Sequence, residues 1–442
     1  MCSFLSDEKL LSSLKEGLSY VAKTLQAPIT VILWDGTKVP LGDVSNSDLT
    51  LTISHKGVVA SLLKHPNLET LMRHYACGNL LIEGGADLMD FIQTLRDSLK
   101  KKDLKKLDKF FIIKKLWPFL LVKSLKAELD HEYAKDETGF DDKQRDNKDF
   151  IQFHYDVSND FYKLFLDPEM LYSCAYFKDW SNTLEQAQLD KLEMICRKLR
   201  LQKGDRFLDI GCGWGALVCY AAKNYGVTAH GVTLSQTQYD YATAKVKELG
   251  LQDKVKIEIR DYITLDGEYD RISSIGMFEH IGLDKFPEYF KKVRSLLRPN
   301  GTFLNHGIAR RAKANKKRAR AITPEKRLIL KYIFPGSELA PLSTTVEAME
   351  AYGFEIHDVE GWREHYALTC KLWCQRLSAN KEAAIEAVGI EKYRMWVAYL
   401  AGVSFGFWSG SILLYQVVAT KRSKAKGPSG LPSTRADLYR PS

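Results

Sequence analysis

Apolar runs alternate with amphipathic stretches through the last two thirds of the chain, from about residue 150 onward. The apolar runs have the length and β-branched content of buried strands, and the stretches between them show a helical period. This alternation predicts an α/β fold with a mostly parallel, doubly wound sheet whose last two strands close as an antiparallel pair. The predicted strands are 206–211, 227–233, 255–260, 269–275, 301–308, 354–360 and 411–420.

The first 100 residues have a different pattern. Strand-like runs at 28–34 and 49–53 flank the turn dipeptide Asp35-Gly36, which predicts a β-hairpin and a neighbouring strand. Helical patterns then occupy 56–98, with interruptions at Cys77-Gly78 and Gly84-Gly85. The sequence therefore predicts a small N-terminal α+β unit.

One apolar stretch, 395–420, contains no charged residue and is long enough to span a bilayer. Its character changes halfway, because glycines near 410 separate a helical pattern from a β-rich run. The favoured interpretation is a buried helix followed by a strand, and a transmembrane helix is the alternative.

Positive charge is unevenly distributed along the chain. The formal net charge is +9, but the segments 100–126, 309–331 and 421–442 are strongly basic and the remainder is acidic. Basic patches on an acidic globule indicate an extended anionic partner, either nucleic acid or a membrane. In 100–126 the lysines are interleaved with aromatics such as Phe110 and Trp117. That mixture is typical of an interfacial segment, with a solvated helix as the plain alternative.

Other sequence features narrow the setting. Signals of a zinc finger, an aromatic RNA-binding motif or a helix-turn-helix are missing, so no motif supports the nucleic-acid alternative and no nucleic-acid partner is predicted. The eight cysteines are scattered without metal-ligand spacing, so no metal site is predicted and reduced thiols are expected. The N-terminus shows no secretory signal, which favours the cytoplasm.

A glycine-rich turn follows the first predicted strand of the sheet, at 207–215 (FLDIGCGWG). Its spacing is G-x-G-x-G, and the second strand ends without a carboxylate, whereas dinucleotide folds favour G-x-G-x-x-G and an acidic residue there. Asp209 within the strand and Asp261-Tyr262 after the third strand are better suited to S-adenosylmethionine.

Several segments together resemble the cyclopropane-fatty-acyl-phospholipid synthases, over about residues 150–420. The most specific are 171–177 (LYSCAYF) and 276–280 (GMFEH). The others are 154–156, 159–162, 165–168, 183–188, 208–215, 231–235, 332–336, Met170, Tyr366 and Trp373, with 82–88 extending the match into the N-terminal unit.

The resemblance implies a Rossmann-like class I methyltransferase domain with a mostly parallel seven-stranded sheet. It divides the chain into an N-terminal α+β accessory and lipid-binding domain (1–100), a basic connector and linker (101–149), the catalytic domain (150–424) and a flexible basic tail (425–442). It also implies that 395–420 is the last helix and strand of the catalytic fold.

The implied reaction adds a methylene group across the cis double bond of an unsaturated phospholipid acyl chain, through a carbocation. The resemblance assigns a bound bicarbonate ion as the proton acceptor, held by Cys174, Glu279, His306, Tyr366 and the backbone of Ile308. Aromatic faces stabilise cations, and Tyr366 is the favoured candidate for that role. Around S-adenosylmethionine the family pattern places Tyr172, Ser173, Asp209, Gly211, Gly213, Gly215, Thr233, Gln238, Asp261 and Tyr262.

The expected partners are membrane phospholipids with unsaturated chains and an anionic membrane surface, and the enzyme is expected on the inner face of the cell membrane. The N-terminal unit offers a surface for a homodimer. Two alternatives stay open: a related fatty-acyl methyltransferase that makes methylene- or methyl-branched chains, and an inactive lipid-binding protein of the same fold.

Overall fold

A computed structural model describes residues 6–45, 47–84, 88–98, 107–129, 158–314, 323–333, 337–422 and 428–439. Several predictions lie outside these residues: the linker 130–149, the segment 154–156, positions 315–320 of the basic run, 334–336 and part of the C-terminal tail. The chain forms two compact units. The first consists of the described residues within 1–132, 322–332 and 374–401, and the second contains the rest.

A four-stranded sheet forms the centre of the first unit, in the order β2-β1-β3-β4. The predicted hairpin is present, with β1 antiparallel to β2, and β3 lies parallel to β1 on its other side. The strands are β1 (Thr30–Ile32), β2 (Lys38–Pro40), β3 (Thr50–Ile53) and β4 (Leu80–Glu83).

The helical prediction for 56–98 is wrong at β4. Helices occupy most of this segment, but Leu80–Glu83 pairs antiparallel with β3 as an edge strand. A four-residue strand is too short for its hydrophobic pattern to be distinguished from that of a helical turn. Its pairing partner, β3, lies about 30 residues earlier in the sequence. The helices here are α1 (Asp7–Leu25), α2 (Lys56–Lys64), α3 (Leu68–Ala76), α4 (Leu88–Ser98) and α5 (Lys109–Leu116).

Residues 107–129, which the sequence assigned to a connector, pack into the first unit. Asp108 caps α5 by accepting the N–H groups of Phe110 and Phe111. A 3₁₀ helix, Trp117–Leu121, follows α5 and inserts Phe119 into the core, where its side chain is fully buried. The packed unit therefore extends past residue 100.

A seven-stranded sheet organises the second unit, in the order β10-β11-β9-β8-β5-β6-β7. The strands are β5 (Arg206–Ile210), β6 (Thr228–Thr233), β7 (Val255–Ile259), β8 (Tyr269–Ile275), β9 (Leu297–Arg310), β10 (Phe354–Gly361) and β11 (Ile412–Lys421). The five adjacent strands β9, β8, β5, β6 and β7 run parallel to one another, and β11 is antiparallel to both β9 and β10. All seven strands, the mostly parallel sheet and the antiparallel closing pair agree with the prediction.

Helices cover both faces of this sheet. Consecutive residues of one strand enter different core clusters, as Phe207 and Leu208 do, because side chains alternate across a sheet. The helices after residue 158 are α6 (Asn159–Lys163), α7 (Leu184–Leu199), α8 (Ala216–Tyr225), α9 (Gln236–Glu248), α10 (Phe286–Leu296), α11 (Pro324–Tyr332), α12 (Leu342–Ala351), α13 (Arg363–Ala379), α14 (Lys381–Val388), α15 (Ile390–Trp408) and α16 (Ala436–Tyr439). Of these, α11, α14 and the part of α15 up to Ala401 belong to the first unit.

The uncharged stretch 395–420 forms the end of α15 and most of β11, which confirms the helix-and-strand interpretation. Gly410 lies between them with a φ of 66°, in the left-handed region where glycine is favoured. Within the described residues, no helix combines the length and apolarity needed to cross a membrane.

Gly231 in β6 provides a test of how closely the sheet packs on the glycine turn. A Cβ added there would lie 2.8 Å from the Sγ atom of Cys212, so Gly231→Ala is expected to reduce the free energy of unfolding by about 1–3 kcal/mol. Gly402→Ala in α15 is the control, because no atom lies within 4 Å of its added Cβ, and it should be neutral or stabilising. Urea denaturation of both variants measures the difference, and equal stability would contradict the packing.

Candidate active site

The glycine turn joins β5 to α8 at the carboxyl edge of the parallel strands. Gly211, Gly213 and Gly215 all have positive φ, at 80°, 53° and 82°. A Cβ on Gly215 would also lie 3.0 Å from the Cβ of Ala242. The turn therefore requires glycine for its backbone conformation and close packing, and it leads directly into the N-terminus of α8, where backbone N–H groups favour polar ligands.

A cavity opens above this turn and contains most of the residues predicted to hold the cofactor. Gly215 lies outside its lining and instead precedes the first turn of α8. The predicted residues that line the cavity are Tyr172, Ser173, Asp209, Gly211, Gly213, Thr233, Gln238, Asp261 and Tyr262.

Asp209 is a buried carboxyl group at the end of β5. Burial raises the pKa of Asp209 to about 6, while a hydrogen bond from the Ser273 hydroxyl, 2.6 Å from Oδ1, favours the ionised form. At the end of β6, the buried Thr233 donates through Oγ1 to Oε1 of Gln238 at 2.7 Å. The second strand thus presents neutral hydrogen-bonding groups to the cavity.

The loop that carries Tyr172 and Ser173 is held by α7. Gln188 donates through Nε2 to the carbonyl groups of Leu171 and Ser173. Lys191 lines the cavity and donates through Nζ to Oγ of Ser173 at 2.9 Å. Burial lowers the pKa of Lys191 to about 8, while the neighbouring Asp167 favours its charged form.

Lys191 was missed by the sequence analysis, although the sequence contains a signal for it. Core-facing positions of α7 recur at Leu184, Gln188 and Ile195, and both Lys191 and Lys198 fall on the same helical stripe. Lysine at a core-facing position of an amphipathic helix indicates a buried charge that is paired or functional, because burial of an unpaired charge is costly.

A second group of predicted residues converges on Trp362, whose side chain is fully buried. The Sγ atom of Cys174 lies 3.8 Å from the Trp362 carbonyl oxygen, and the Tyr366 N–H donates to that oxygen at 3.1 Å. The ring of His306 packs edge-on against the Trp362 indole, with centroids 5.6 Å apart. None of the five residues predicted for catalysis lines the cofactor cavity, but Glu279 is adjacent in sequence to His280, which does.

Glu279 lies in the short 3₁₀ turn Phe278–His280 and faces β9. Its Oε1 atom accepts the N–H of Ile308 at 2.5 Å, and its buried Oε2 atom has no hydrogen-bond partner in the described part of the chain. Burial raises the pKa of Glu279 to about 7, while the bond from Ile308 favours ionisation. The Ile308 N–H is therefore occupied by one oxygen of Glu279, and the other oxygen remains available to a ligand.

The other titratable members of this group are also held neutral by burial. Burial raises the pKa of the Cys174 thiol well above its usual value and lowers the pKa of His306 well below its usual value. Nδ1 of His306 accepts from Nε2 of Gln416, at 3.0 Å. A buried thiol, a buried imidazole and a buried carboxyl group whose charged forms are disfavoured can each hydrogen-bond a small polar species.

Aromatic rings surround both groups. Tyr172 lies 5.2 Å from Trp373 and 5.4 Å from Tyr162, measured between ring centroids. Tyr366 is half-buried and stacks on Phe407 at 4.5 Å. In the described residues, no cluster of three or more His, Cys, Asp or Glu side chains has the arrangement needed to hold a metal ion.

Comparison with known proteins identifies relatives along most of the chain. Residues 142–417 match the family model of mycolic acid cyclopropane synthetase. A probable fatty acid methyltransferase of Pseudomonas putida is 36% identical over 420 residues, which cover 95% of this chain and 98% of the relative. The cyclopropane-fatty-acyl-phospholipid synthase of Escherichia coli K12 is 39% identical over 268 residues, covering 61% of this chain and 66% of the relative.

Solved structures agree with these sequence matches. The crystal structure of mycolic acid cyclopropane synthase CmaA1 complexed with SAH and CTAB superposes with a TM-score of 0.60 and 34% identity, covering 63% of this chain and all of that chain. The predicted class I methyltransferase fold is confirmed, and the methyl donor is S-adenosylmethionine. Because the family match covers more than half of the chain, this protein belongs to the mycolic acid cyclopropane synthetase family of S-adenosylmethionine-dependent methyltransferases.

Proposed function

We propose that this enzyme converts cis-unsaturated acyl chains of membrane phospholipids to cyclopropane chains. The contacts of Cys174 and His306 with Trp362, together with the bond of Glu279 to Ile308 on the strand that also carries His306, are the observation that carries the proposal. Two relatives support it. The E. coli relative is named for cyclopropane formation on fatty-acyl phospholipids, and the CmaA1 structure contains CTAB, a cation with a long alkyl chain.

The chemistry explains why such a site is needed. S-adenosylmethionine supplies an electrophilic methyl group as a sulfonium, which an isolated alkene, a weak nucleophile, requires. Methylation of the alkene leaves a carbocation on the acyl chain, and loss of one proton from the new methyl group then closes the ring. The protein must therefore exclude water from the cation and keep a proton acceptor close to it.

The residues of the second group suit these tasks. Tyr366, stacked on Phe407, offers an aromatic face that stabilises positive charge, and the burial of Trp362 and Cys174 excludes water. None of these groups is a strong base, because Cys174 stays a thiol and His306 a weakly basic, buried imidazole. A separate proton acceptor is consistent with this neutral set.

The donors present fit a small oxyanion such as bicarbonate. Cys174, His306 and Tyr366 supply hydrogen-bond donors, and the Oε2 atom of Glu279, buried without a partner, either donates when protonated or accepts from the O–H of the ion. Bicarbonate held by these residues would accept the proton lost on ring closure. The N–H of Ile308 already donates to Glu279, so its contribution is to orient that carboxyl group.

We propose that the enzyme contacts the membrane through an exposed face of the first unit, which we term the lipid-docking face. The face carries exposed Lys114, Lys123 and Lys126 beside its apolar side chains. Phe110 is 77% exposed and Ile113 is 62% exposed, which is unusual for large apolar residues and suits insertion into a headgroup layer. Its apolar members are Phe110, Ile113, Trp117, Leu120 and Leu121.

A second candidate product shares the methyl transfer and the carbocation. The Pseudomonas putida relative is named as a probable fatty acid methyltransferase, so a methylene- or methyl-branched chain is the rival outcome. Loss of a proton from a chain carbon beside the cation would give a methyl-branched alkene, whereas a methylene branch requires a hydride shift to the cationic carbon before the methyl group loses its proton. The two products are distinguished by NMR of the isolated acyl chain.

The first test is methyl transfer itself. Purified protein with labelled S-adenosylmethionine and vesicles of monounsaturated phospholipid is expected to incorporate label into the acyl chain, and NMR should show cyclopropane protons. Glu279→Gln should lose most of the activity while cofactor affinity stays within about threefold, since the carboxyl group lies outside the cavity lining. Glu268→Gln, at an exposed position, is the control. Absence of label in the acyl chain would refute the proposal.

Burial of Glu279 predicts a pH-dependent stability difference. Its pKa is raised from 4.5 to about 7, so between these values the folded state binds a proton that the unfolded state releases, and wild-type stability falls as pH rises. The free-energy advantage of Glu279→Gln over wild type should grow by about 3 kcal/mol between pH 4.5 and pH 8. Urea denaturation at several pH values measures it, and a constant difference would show that Glu279 is ionised in the folded protein.

Vesicle binding tests the lipid-docking face. Combined Phe110→Ser and Ile113→Ser should weaken binding to anionic vesicles by at least about tenfold, because the inserted apolar area is lost. Leu249→Ser is the control, since Leu249 is an exposed apolar residue of the second unit. Wild-type binding should also weaken with added salt. Co-sedimentation measures both effects, and equal binding by the double variant would exclude this face.

A further inference from the structure

Two lysines on α7 are almost completely buried. Lys191 and Lys198 are each 1% exposed, and they lie seven residues apart, which places them two turns apart on one helical face. A buried ammonium group costs several kcal/mol unless it is paired and hydrogen-bonded. The partners of each lysine therefore indicate what the charge is retained for.

We propose that both lysines are positioning residues: Lys191 makes the Ser173 hydroxyl a donor to the carboxylate of S-adenosylmethionine, and Lys198 acts through Gln416 to hold the His306 proton on Nε2. The two halves rest on separate hydrogen bonds. The first concerns cofactor binding, and the second rests on the proposed role of His306 in the acyl-chain reaction.

The first half follows from the chemistry of an ammonium group, which donates and never accepts. Because Lys191 donates to Oγ of Ser173 at 2.9 Å, that oxygen is an acceptor and its own proton must point to another group. Ser173 lines the cofactor cavity. The O–H is therefore presented to the ligand, and the positive charge behind it favours an anionic acceptor.

The carboxylate of the methionyl moiety is the anionic group of S-adenosylmethionine, whereas the ribose and adenine are neutral. The acidic neighbours of Lys191 have partners of their own: Asp167 accepts the N–H groups of Glu169 and Leu171, and Asp209 accepts the Ser273 hydroxyl. Through its hydrogen bond to Ser173, the positive charge of Lys191 therefore favours a hydroxyl proton that points into the cavity.

The second half follows from the orientation of one buried amide. Lys198 pairs with Glu360 and donates to the oxygen Oε1 of Gln416 at 2.6 Å. This turns the amide NH₂ of Gln416 toward Nδ1 of His306, 3.0 Å away. An amide NH₂ only donates, so Nδ1 must accept, and a neutral imidazole then carries its proton on Nε2.

A His306 ring with the proton on Nε2 offers a donor, not a base, to the neutral site. That suits an oxyanion and disfavours His306 as the group that removes the proton. His306, Gln416 and Lys198 are all buried, so water does not compete for these hydrogen bonds.

Binding measurements on the full-length protein test the role of Lys191. By calorimetry, Lys191→Met should weaken S-adenosylmethionine roughly ten- to hundredfold and decarboxylated S-adenosylmethionine by less than about threefold. Lys198→Met, matched in burial and in lost charge, should bind both ligands within about threefold of wild type.

Ser173→Ala keeps this test decisive if Lys191→Met fails to fold, because it removes the donor with a small change. It should reproduce the selective loss for the carboxylate-bearing ligand, and adding Lys191→Met to it should weaken binding little further. Equal weakening of both ligands in Ser173→Ala or Lys191→Met would overturn the first half.

Nitrogen-15 NMR of labelled histidine tests the role of Lys198 without requiring turnover. With the His306 signal assigned by His306→Gln, the wild-type spectrum should show a protonated Nε2 and a bare Nδ1. Gln416→Glu replaces the donor with an acceptor and should move the proton to Nδ1, and Lys198→Met should give a mixture of both tautomers. Lys191→Met is the control: its charge also acts on His306, but it makes no hydrogen bond to Gln416, so the tautomer should stay unchanged.

A proton on Nδ1 in the wild type, or an unchanged tautomer in Gln416→Glu, would overturn the second half. The wild-type spectrum decides the point even if a variant fails to fold. Because the tautomer is read from the resting protein, absence of methyl transfer to lipid would refute the proposed function and leave this result standing.

Discussion

Pairing of the two buried ammonium groups on α7 constrains most of the catalytic unit. Lys191 connects the helix to the loop of Ser173 and lies close to Asp209 of β5. Lys198 connects the same helix to β10 through Glu360 and to β11 through Gln416. An unpaired charge in the interior costs several kcal/mol. Packing of α7 against the strands and the loop is therefore favourable only when these partners are in place. One helix thereby contacts both the cofactor cavity and the buried group around Trp362.

The rest of the site is kept neutral by the same burial that requires the lysines to be paired. Burial disfavours the charged forms of Glu279, Cys174 and His306, because the surrounding core offers no solvation. Neutral groups suit a reaction that passes through a carbocation, since a fixed negative charge or a nucleophile close to the cation would trap it. In the proposed reaction, a hydrogen-bonded oxyanion would supply the basicity that these side chains lack.

The N-terminal unit divides one Lys-rich segment between two environments. Phe119 completes a core, whereas Phe110, Ile113 and Trp117 face solvent among lysines. An apolar surface of this kind is costly in water and favourable at a bilayer. The basic charge that marked the sequence therefore has a structural counterpart: lysines and aromatic residues on one exposed face.

The sequence by itself determined the sheet and the cofactor turn. Long buried strands have continuous apolar runs, and the G-x-G-x-G turn requires positive φ at specific positions. Both features are therefore visible in the local sequence, without knowledge of distant contacts. The segments 171–177 and 276–280 likewise carried the candidate site in their order of residues. Local patterns were sufficient for the sheet and the turn, whereas the candidate site rested on the family resemblance.

Tertiary structure decided what depends on distant partners. The short strand Leu80–Glu83 exists because β3 lies beside it, and Phe119 is buried because the N-terminal core has room for it. Lys191 and Lys198 read as ordinary helical lysines until Ser173, Glu360 and Gln416 are brought to them across the fold. Hydrogen-bond roles, such as the donor at Ser173, arise from which groups meet, and only packing of the whole chain determines that.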